Sequence, residues 1–108
     1  MMKSLVTGCN GFVGTYLCNY LQKTGNEVFG IDLQDSPSDD SIVYRKLDIT
    51  EYDSLVKVLH SWQVDVIYHL AAAVGVQKII SEPINTIEIN IGGTEVVMQT
   101  ARRYRKKV

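Results

Sequence analysis

A glycine-rich stretch near the start of the chain constrains the fold more than any other feature. It is Thr7-Gly8-Cys9-Asn10-Gly11-Phe12-Val13-Gly14, with glycines spaced G-x-x-G-x-x-G rather than G-x-G-x-x-G. The short apolar run Leu5-Val6 precedes it, and an amphipathic segment, residues 15–23, follows it. This order predicts a β-strand, a tight turn and the start of a helix.

The three glycines of this stretch suit a βαβ unit that binds a dinucleotide. Gly8 lets the chain turn sharply away from the strand. Gly11 has no Cβ, so a pyrophosphate can approach the backbone N–H groups at the start of the helix. Gly14 lets the helix pack closely on the sheet. A tight turn that binds nothing is the alternative, and the flanking strand and helix favour binding.

Strand and helix patterns alternate along the rest of the chain. The predicted strands are Lys3–Thr7, Glu27–Asp32, Ile42–Leu47 and Val64–Leu70. The predicted helical segments are Phe12–Lys23, a helix after Thr50, a turn at Val76–Ile80, and a long helix from near Pro83 to near Arg105. This alternation predicts an α/β fold, a Rossmann-like doubly wound parallel sheet of strand order 3-2-1-4. Ligands bind such sheets at the carboxyl ends of the strands.

Local signals predict how the helices end and pack. Gly25 suits the residue after the first helix, and Thr50 and Asp53 resemble a capping pair for the second. The second helix carries one apolar face, formed by Leu55, Val58, Leu59 and Trp62. The last helix carries an apolar stripe formed by Ile84, Ile87, Ile91, Met98 and Ala101. Gly92-Gly93 lies in the middle of that helix, where glycine lowers helix stability, which suggests close approach of another helix or a ligand.

Asp32 ends the second predicted strand and favours NAD over NADP. A carboxylate at this position can accept hydrogen bonds from both ribose hydroxyls of NAD, and it repels the 2′-phosphate of NADP. No Arg or Lys follows Asp32 before Arg45, and positions 9 and 10 are not basic. A solvated acid in a turn is the alternative interpretation of Asp32.

Composition excludes several classes of function. Five of the eleven basic residues lie between positions 102 and 107, which leaves residues 1–101 strongly acidic. Cations at the end of a helix explain that cluster better than nucleic acid, because no aromatic or glycine residues interleave it. No apolar run is long enough to span a membrane. Cys9 and Cys18 lack metal-ligand spacing, so we expect free thiols in a cytoplasmic protein.

Four motifs in order resemble those of one family, the extended short-chain dehydrogenases/reductases of the NAD-dependent epimerase/dehydratase group. Residues 7–14 resemble its T-G-x-x-G-F-[IV]-G fingerprint, and residues 47–50 resemble its D-[IVL]-[TR] element. Residues 69–72 resemble its H-L-A-A, and residues 90–94 its N-x-x-G-T. Glu82-Pro83 matches the proline before that helix. The loop after residue 70 is most similar to nucleotide-sugar epimerases, including those like UDP-glucose 4-epimerase.

The resemblance implies a set of residues that bind NAD. The glycines with adjacent backbone hold the pyrophosphate, Asp32 holds the adenosine ribose, and Asp48 with Ile49 reads the adenine edge. The small residues after the fourth strand and Asn90 lie toward the nicotinamide. The complete set is Gly8, Asn10, Gly11, Phe12, Val13, Gly14, Asp32, Asp48, Ile49, Leu70, Ala71, Ala72, Ala73 and Asn90.

Several of these residues have plainer interpretations. Asp48 can cap the helix that follows it, with or without a role at adenine. Asn90 can be a satisfied polar residue inside a helix. For His69 we expect a packed, hydrogen-bonded histidine and no catalytic role. Cys9 is accessible in principle, but nothing nearby argues for a lowered pKa.

The resemblance also implies catalytic groups that are missing between residues 1 and 108. The family uses a Ser or Thr together with Tyr-x-x-x-Lys, beyond the fifth strand, and none of the six tyrosines here has Lys four residues later. We therefore expect the first part of a cofactor domain, without the substrate domain, that does not transfer hydride alone.

The intact parent would be a nucleotide-sugar epimerase or dehydratase that oxidises a sugar carbon transiently. A non-catalytic dinucleotide-binding module and an inactive fragment are the alternatives. Strand four would lack a neighbour, and the last helix would expose its apolar stripe. We expect self-association through one of these surfaces, giving a homo-oligomer.

Overall fold

The strands form one parallel sheet in the order β3-β2-β1-β4. The computed structural model describes residues 2–71, 81–103 and 107–108. Its strands are β1 (Lys3–Thr7), β2 (Glu27–Asp32), β3 (Val43–Lys46) and β4 (Val66–His69). This confirms the predicted α/β fold and strand order, with β3 and β4 shorter at both ends than predicted.

Helices cover both faces of this sheet. The described helices are α1 (Phe12–Lys23), α2 (Tyr52–Trp62), α3 (Pro83–Ile87) and α4 (Thr94–Arg103). A π-helical segment, Glu88–Gly93, joins α3 to α4. Helix α1 packs on β1 and β2, whereas α2 and α4 pack together on the other face. The helical turn expected at residues 76–80 lies outside the described residues.

Alternation along the strands divides the apolar residues between two cores. Leu5, Phe29 and Ile67 point toward α2 and α4, and Phe29 stacks on Trp62 with ring centroids 5.0 Å apart. Val6 and Val28 point toward α1, where they meet Cys18 and Leu21. The face predicted for α2 is confirmed, because Leu55, Val58 and Leu59 are buried and Trp62 packs against them.

Helix α1 buries a different face from the one that its aromatic residues suggest. Gly14, Cys18 and Leu21 are buried, whereas Phe12 and Tyr16 are 94% and 76% exposed. The buried face lies against the glycine turn at Gly14 and against the sheet at Cys18 and Leu21. The predicted end of α1 is confirmed, since Gly25 has φ +88° and Asn26 N–H bonds Leu21 O at 3.0 Å.

Both cysteines are buried free thiols. Cys9 packs against Gly30, where a Cβ would lie 2.6 Å from Cys9 Sγ. The expectation that Cys9 is accessible was wrong, because the turn directs its side chain into the core that Val6, Cys18 and Val28 share. Burial raises the pKa of Cys9 to about 12 and that of Cys18 to about 11, which leaves little thiolate at neutral pH.

The predicted capping pair of the second helix does not form. Helix α2 begins at Tyr52 with Glu51 as its N-cap, and no side chain caps it among the described residues. The Thr50 hydroxyl donates instead to Asp48 Oδ1 at 2.7 Å. Asp48 also accepts from the Thr50 N–H, because an aspartate readily accepts hydrogen bonds from the residue two positions later in the chain.

The long predicted helix is interrupted where the glycine pair lies. Pro83 occupies its first turn, as predicted, and Ile84, Ile91 and Met98 are exposed along it. Ala101, assigned to the same stripe, is buried. The segment ends at Arg103, whose Nη1 donates to Tyr52 OH at 3.0 Å, and residues 104–106 lie outside the described residues. Cations at the last turn agree with the interpretation of the basic cluster as a helix terminus.

One residue after α4 pairs with the outer edge of β4. Lys107 forms a parallel bridge with Val66, and its carbonyl accepts from Ile67 N–H at 2.7 Å.

No helix among the described residues is long and apolar enough to cross a membrane. In the same residues, no three His, Cys, Asp or Glu side chains converge as metal ligands would.

The glycine pair in the π-helical segment offers a matched test of packing. A Cβ on Gly93 would clash with Ile49 Cδ1 and lie 2.9 Å from its Cγ1, whereas a Cβ on Gly92 would meet nothing within 4 Å. Gly93→Ala should lower the free energy of unfolding by about 1–3 kcal/mol, because the buried Ile49 has little room to move. Gly92→Ala should raise it by up to about 1 kcal/mol. Urea unfolding curves measure both, and equal effects would contradict the packing argument.

Candidate functional site

A cleft of about 450 Å³ opens at the carboxyl ends of the strands. It is lined by Gly8, Asn10, Gly11, Phe12, Val13, Gly14, Ile31, Asp32, Leu33, Gln34, Leu47, Asp48, Ile49, Leu70, Ala71 and Ile89. Asp32 and Asp48 are the charged residues in this lining, and it contains no Lys or Arg among the described residues. An anion in the cleft therefore depends on backbone donors rather than on a cationic side chain.

The glycine turn lies between the ends of β2 and β4. Gly8 has φ +69°, and its N–H donates to Ile31 O at 2.9 Å. A Cβ on Gly8 would lie 2.9 Å from Ala71 N. The positive φ and the close approach both require glycine at this position.

The start of α1 presents backbone donors to the cleft. Its N-cap is Gly11, with no capping side chain among the described residues and no acidic residue in the first turn. A Cβ on Gly14 would clash with Gly8 O, so the absence of a side chain brings α1 against the turn itself, rather than against the sheet as predicted. The first N–H groups of a helix lack partners within it, so this end can hold an anionic phosphate.

Asp32 closes the cleft at the end of β2. Its Oδ2 accepts from Asn10 N–H at 3.0 Å and its Oδ1 from Leu33 N–H at 2.8 Å. A carboxylate has about four acceptor positions, so two backbone bonds leave capacity for hydroxyl groups of a ligand. The carboxylate thus also links the glycine turn to the end of β2.

The Asn10 side chain ties the same turn to the loop after β2. Its Nδ2 donates to Gln34 Oε1 at 3.2 Å and to Ser36 O at 3.0 Å. Its Oδ1 accepts from Ser38 N–H at 2.8 Å. These bonds order one rim of the cleft beside Asp32.

Asp48 and Ile49 form the wall after β3. Asp48 Oδ1 accepts from Thr50 N–H at 2.9 Å and from the Thr50 hydroxyl. Asp48 therefore organises the entry to α2 without being its N-cap, while it also lines the cleft. Ile49 is buried against Gly93, which connects this wall to the π-helical segment.

The Thr7 hydroxyl holds the wall after β4. It accepts from Leu70 N–H at 3.0 Å and from Ala71 N–H at 3.1 Å. His69, which pairs with Thr7 across the sheet, places Nδ1 2.8 Å from the same hydroxyl. This confirms the expectation of a packed, hydrogen-bonded histidine, and burial lowers its pKa.

The cleft gathers the predicted site residues that the structure describes, with one exception. Asn90 does not line it, although its neighbour Ile89 does, and Ala72 and Ala73 lie outside the described residues. Sequence reasoning missed Ile31, Leu33, Gln34, Leu47 and Ile89. Each lies within two residues of a predicted site residue, so adjacency was the available signal. Binding by any of these residues stays a prediction.

Sequence reasoning also overlooked a lysine beside Asp32. Lys46 is the register partner of Asp32 on β3, and its Nζ lies 2.8 Å from Asp35 Oδ1. Lys46 is distant from Asp32 along the chain, and only the parallel pairing of β2 with β3 places the two residues side by side. Asp35 holds this lysine in an exposed ion pair of small energetic weight.

The burial of His69 predicts a specific loss of stability in acid. The lowered pKa means that, below the ordinary value of 6.5, the unfolded chain takes up a proton before the folded chain does. The contribution of neutral His69 to the free energy of unfolding is therefore complete above pH 6.5 and declines as the pH falls below that value. Urea unfolding from pH 7.5 to 5.5 should show the wild-type chain losing stability relative to His69→Gln. Parallel curves for the two chains would contradict this.

Comparisons with known proteins agree with this architecture. A family profile described as GDP-mannose 4,6 dehydratase matches residues 5–108. UDP-glucose 4-epimerase of Mycolicibacterium smegmatis is 32% identical over 94% of this chain and 35% of its own length. dTDP-glucose 4,6-dehydratase 1 of Escherichia coli is 32% identical over 95% of this chain and 32% of its own length. The chain thus spans about a third of the length of the curated relatives it matches.

Solved structures show the same fold. UDP-glucose 4-epimerase of Thermotoga maritima, solved with UDP-glucose, has a TM-score of 0.90 and 24% identity, over 97% of this chain and 35% of its own. The Thermus thermophilus enzyme of the same name, in complex with NAD, has a TM-score of 0.87 and 22% identity, over 95% and 34%. Since the family profile extends over nearly all of the sequence, the chain belongs to the GDP-mannose 4,6-dehydratase family.

Proposed function

We propose that this chain forms the NAD-binding portion of a nucleotide-sugar epimerase or dehydratase. The observation that carries the proposal is the juxtaposition, in one cleft, of an uncapped helix N-terminus with the Asp32 carboxylate. The helix start suits a pyrophosphate, and a carboxylate at the end of β2 suits ribose hydroxyls. The relatives named above support the nucleotide-sugar class of substrate.

The residues of the cleft fit a dinucleotide. At Gly8 and Gly14 any Cβ would collide with backbone, so the turn exposes main chain where side chains would otherwise stand. We assign the pyrophosphate to the turn and to the N–H groups of residues 12–14. Asp32 holds the adenosine ribose, and Asp48 with Ile49 borders the adenine. Leu70 and Ala71 border the nicotinamide half. The family resemblance assigns Ala72, Ala73 and Asn90 to the same half.

The chemistry belongs to the intact enzyme. When bound, NAD supplies a hydride acceptor and donor for transient oxidation of a sugar carbon. The role of the described residues is to bind and orient the cofactor. Thr7 fixes the backbone of residues 70–71, and Asn10 fixes the loop beside Asp32. Hydride transfer therefore requires groups from the remainder of the parent protein.

The carboxylate of Asp32 should make this chain prefer NAD over NADP. Asp32→Asn should weaken NAD binding by about tenfold, because hydrogen bonds to a charged acceptor are lost. The same change should narrow the preference for NAD over NADP, because the repulsion of the 2′-phosphate disappears. Calorimetric titration with both dinucleotides measures these effects.

Asp40→Asn is the matched control, since it removes the same charge from an exposed position outside the cleft. Equal wild-type affinities for NAD and NADP would refute the preference. Wild-type binding of NAD without turnover would also fit a non-catalytic module, whereas absence of binding would favour an inactive fragment. Turnover by a longer parent chain separates the enzyme from the module.

We also propose that the chain forms a homo-oligomer through the last helical segment. Ile84, Ile91 and Met98 recur every seven residues and are exposed, at 72%, 66% and 51%. Lys107 pairs with the outer edge of β4 at Val66, so the helix offers the better surface for self-association. Sedimentation should show a concentration-dependent mass that Ile91→Lys lowers and Tyr16→Lys, an exposed change on α1, does not. A monomer at all concentrations would refute self-association.

A further inference from the structure

A continuous chain of hydrogen bonds runs from the end of β1 to the π-helical segment. The Thr7 hydroxyl accepts from the N–H groups of Leu70 and Ala71, which occupies both of its lone pairs. The Leu70 N–H is shared with Thr7 O at 3.2 Å, and the hydroxyl is the nearer of its two acceptors. The single proton of the hydroxyl is therefore directed to His69 Nδ1, 2.8 Å away. This makes Nδ1 the acceptor and places the proton of the neutral imidazole on Nε2.

The second nitrogen of His69 continues the chain. Its Nε2 lies 3.1 Å from the Thr94 hydroxyl, which itself donates to Asn90 O at 2.7 Å. Since the hydroxyl proton is committed to that carbonyl, the Thr94 oxygen accepts from His69. All donors along the path thus point in one direction, from β1 to the helical segment. Burial lowers the pKa of His69, which agrees with a neutral ring.

We infer that His69 is a positioning residue, which holds the Thr94 hydroxyl against the Asn90 carbonyl and so maintains the π-helical segment whose Ile89 lines the cleft. The link from this segment to cofactor affinity rests on the proposed function. The Ile49–Gly93 contact seats the same segment from the other side.

Two other threonines show that a hydroxyl bond to the carbonyl four residues back is not sufficient. Thr86 donates to Glu82 O at 2.8 Å and Thr100 to Val96 O at 2.7 Å. The Thr86 bond lies at the start of α3 and the Thr100 bond lies within α4, and both elements are α-helical. The bond from Thr94, the first residue of α4, instead reaches back into the π-helical segment. Such bonds destabilise a helix only slightly, although they often bend it. Thr94 also accepts a bond from His69, which anchors the start of α4 to the sheet.

The first test uses substitutions at Thr94 in the 108-residue chain. Thr94→Val removes the hydroxyl, Thr94→Ser keeps it, and Thr100→Val makes the same chemical change further along the helix. Amide hydrogen exchange of residues 88–94, followed by NMR, should accelerate about tenfold in Thr94→Val, because a coupled pair of hydrogen bonds is lost. Thr94→Ser should exchange like the wild type, and Thr100→Val should leave this segment unchanged.

The second test separates the two nitrogens of His69. In His69→Gln the amide N–H can replace Nε2–H toward Thr94, whereas in His69→Asn the shorter amide can replace only Nδ1 toward Thr7. We expect slow exchange at residues 88–94 in His69→Gln and exchange about tenfold faster in His69→Asn, since only the former keeps the donor. Nitrogen chemical shifts of the imidazole in the wild type should show the Nε2–H form.

Several results would overturn the inference. The inference fails if residues 88–94 exchange equally fast in Thr94→Val and Thr100→Val, or equally fast in His69→Gln and His69→Asn. It also fails if the His69 ring carries its proton on Nδ1. Titration with NAD is an independent test, in which the Thr94→Val chain should bind NAD about tenfold more weakly than the Thr100→Val chain. Equal affinities would overturn the link to the cleft. A wild-type chain that binds no NAD but shows the expected exchange pattern refutes the proposed function and supports the positioning role.

Discussion

The close approach of backbone segments at Gly8 is the constraint on which the rest of the site depends. Gly8 directly follows β1 with a positive φ, the backbone of Ala71 lies against it, and Gly14 brings α1 against its carbonyl. Three elements therefore converge where a single Cβ would force them apart. Because β1 is central in the sheet, this convergence also places the ends of β2 and β4 on either side of the helix start.

Thr7, the residue before this glycine, supplies the complementary polar anchor. Its hydroxyl satisfies two backbone N–H groups of the wall after β4 and directs its proton to His69. A buried polar group is costly unless it is paired, and this hydroxyl uses its whole capacity. Glycine therefore permits the close approach, and threonine determines how the neighbouring segment is held there.

The electrostatics of the cleft follow from these backbone positions. Its charged lining residues are two carboxylates, Asp32 and Asp48, so favourable interactions with a phosphate come from the helix start. The macrodipole adds partial positive charge at that end. In the proposed binding mode, the carboxylates interact with the ribose and adenine, and the N–H groups at the start of α1 interact with the phosphates. Lys46, which is the register partner of Asp32 on β3, forms an ion pair with Asp35.

The sequence alone determined the strand order, the cleft and most of its lining, because turn glycines, apolar runs and carboxylates at strand ends are local signals with strict geometric consequences. Only the tertiary structure decided which face α1 buries, that Asp48 rather than Asp53 pairs with Thr50, and that Lys46 lies beside Asp32. It also decided the chain from Thr7 through His69 to Thr94 and the π-helical segment that accompanies it. These features depend on contacts between residues far apart in sequence, for which helical period and local propensity carry no information.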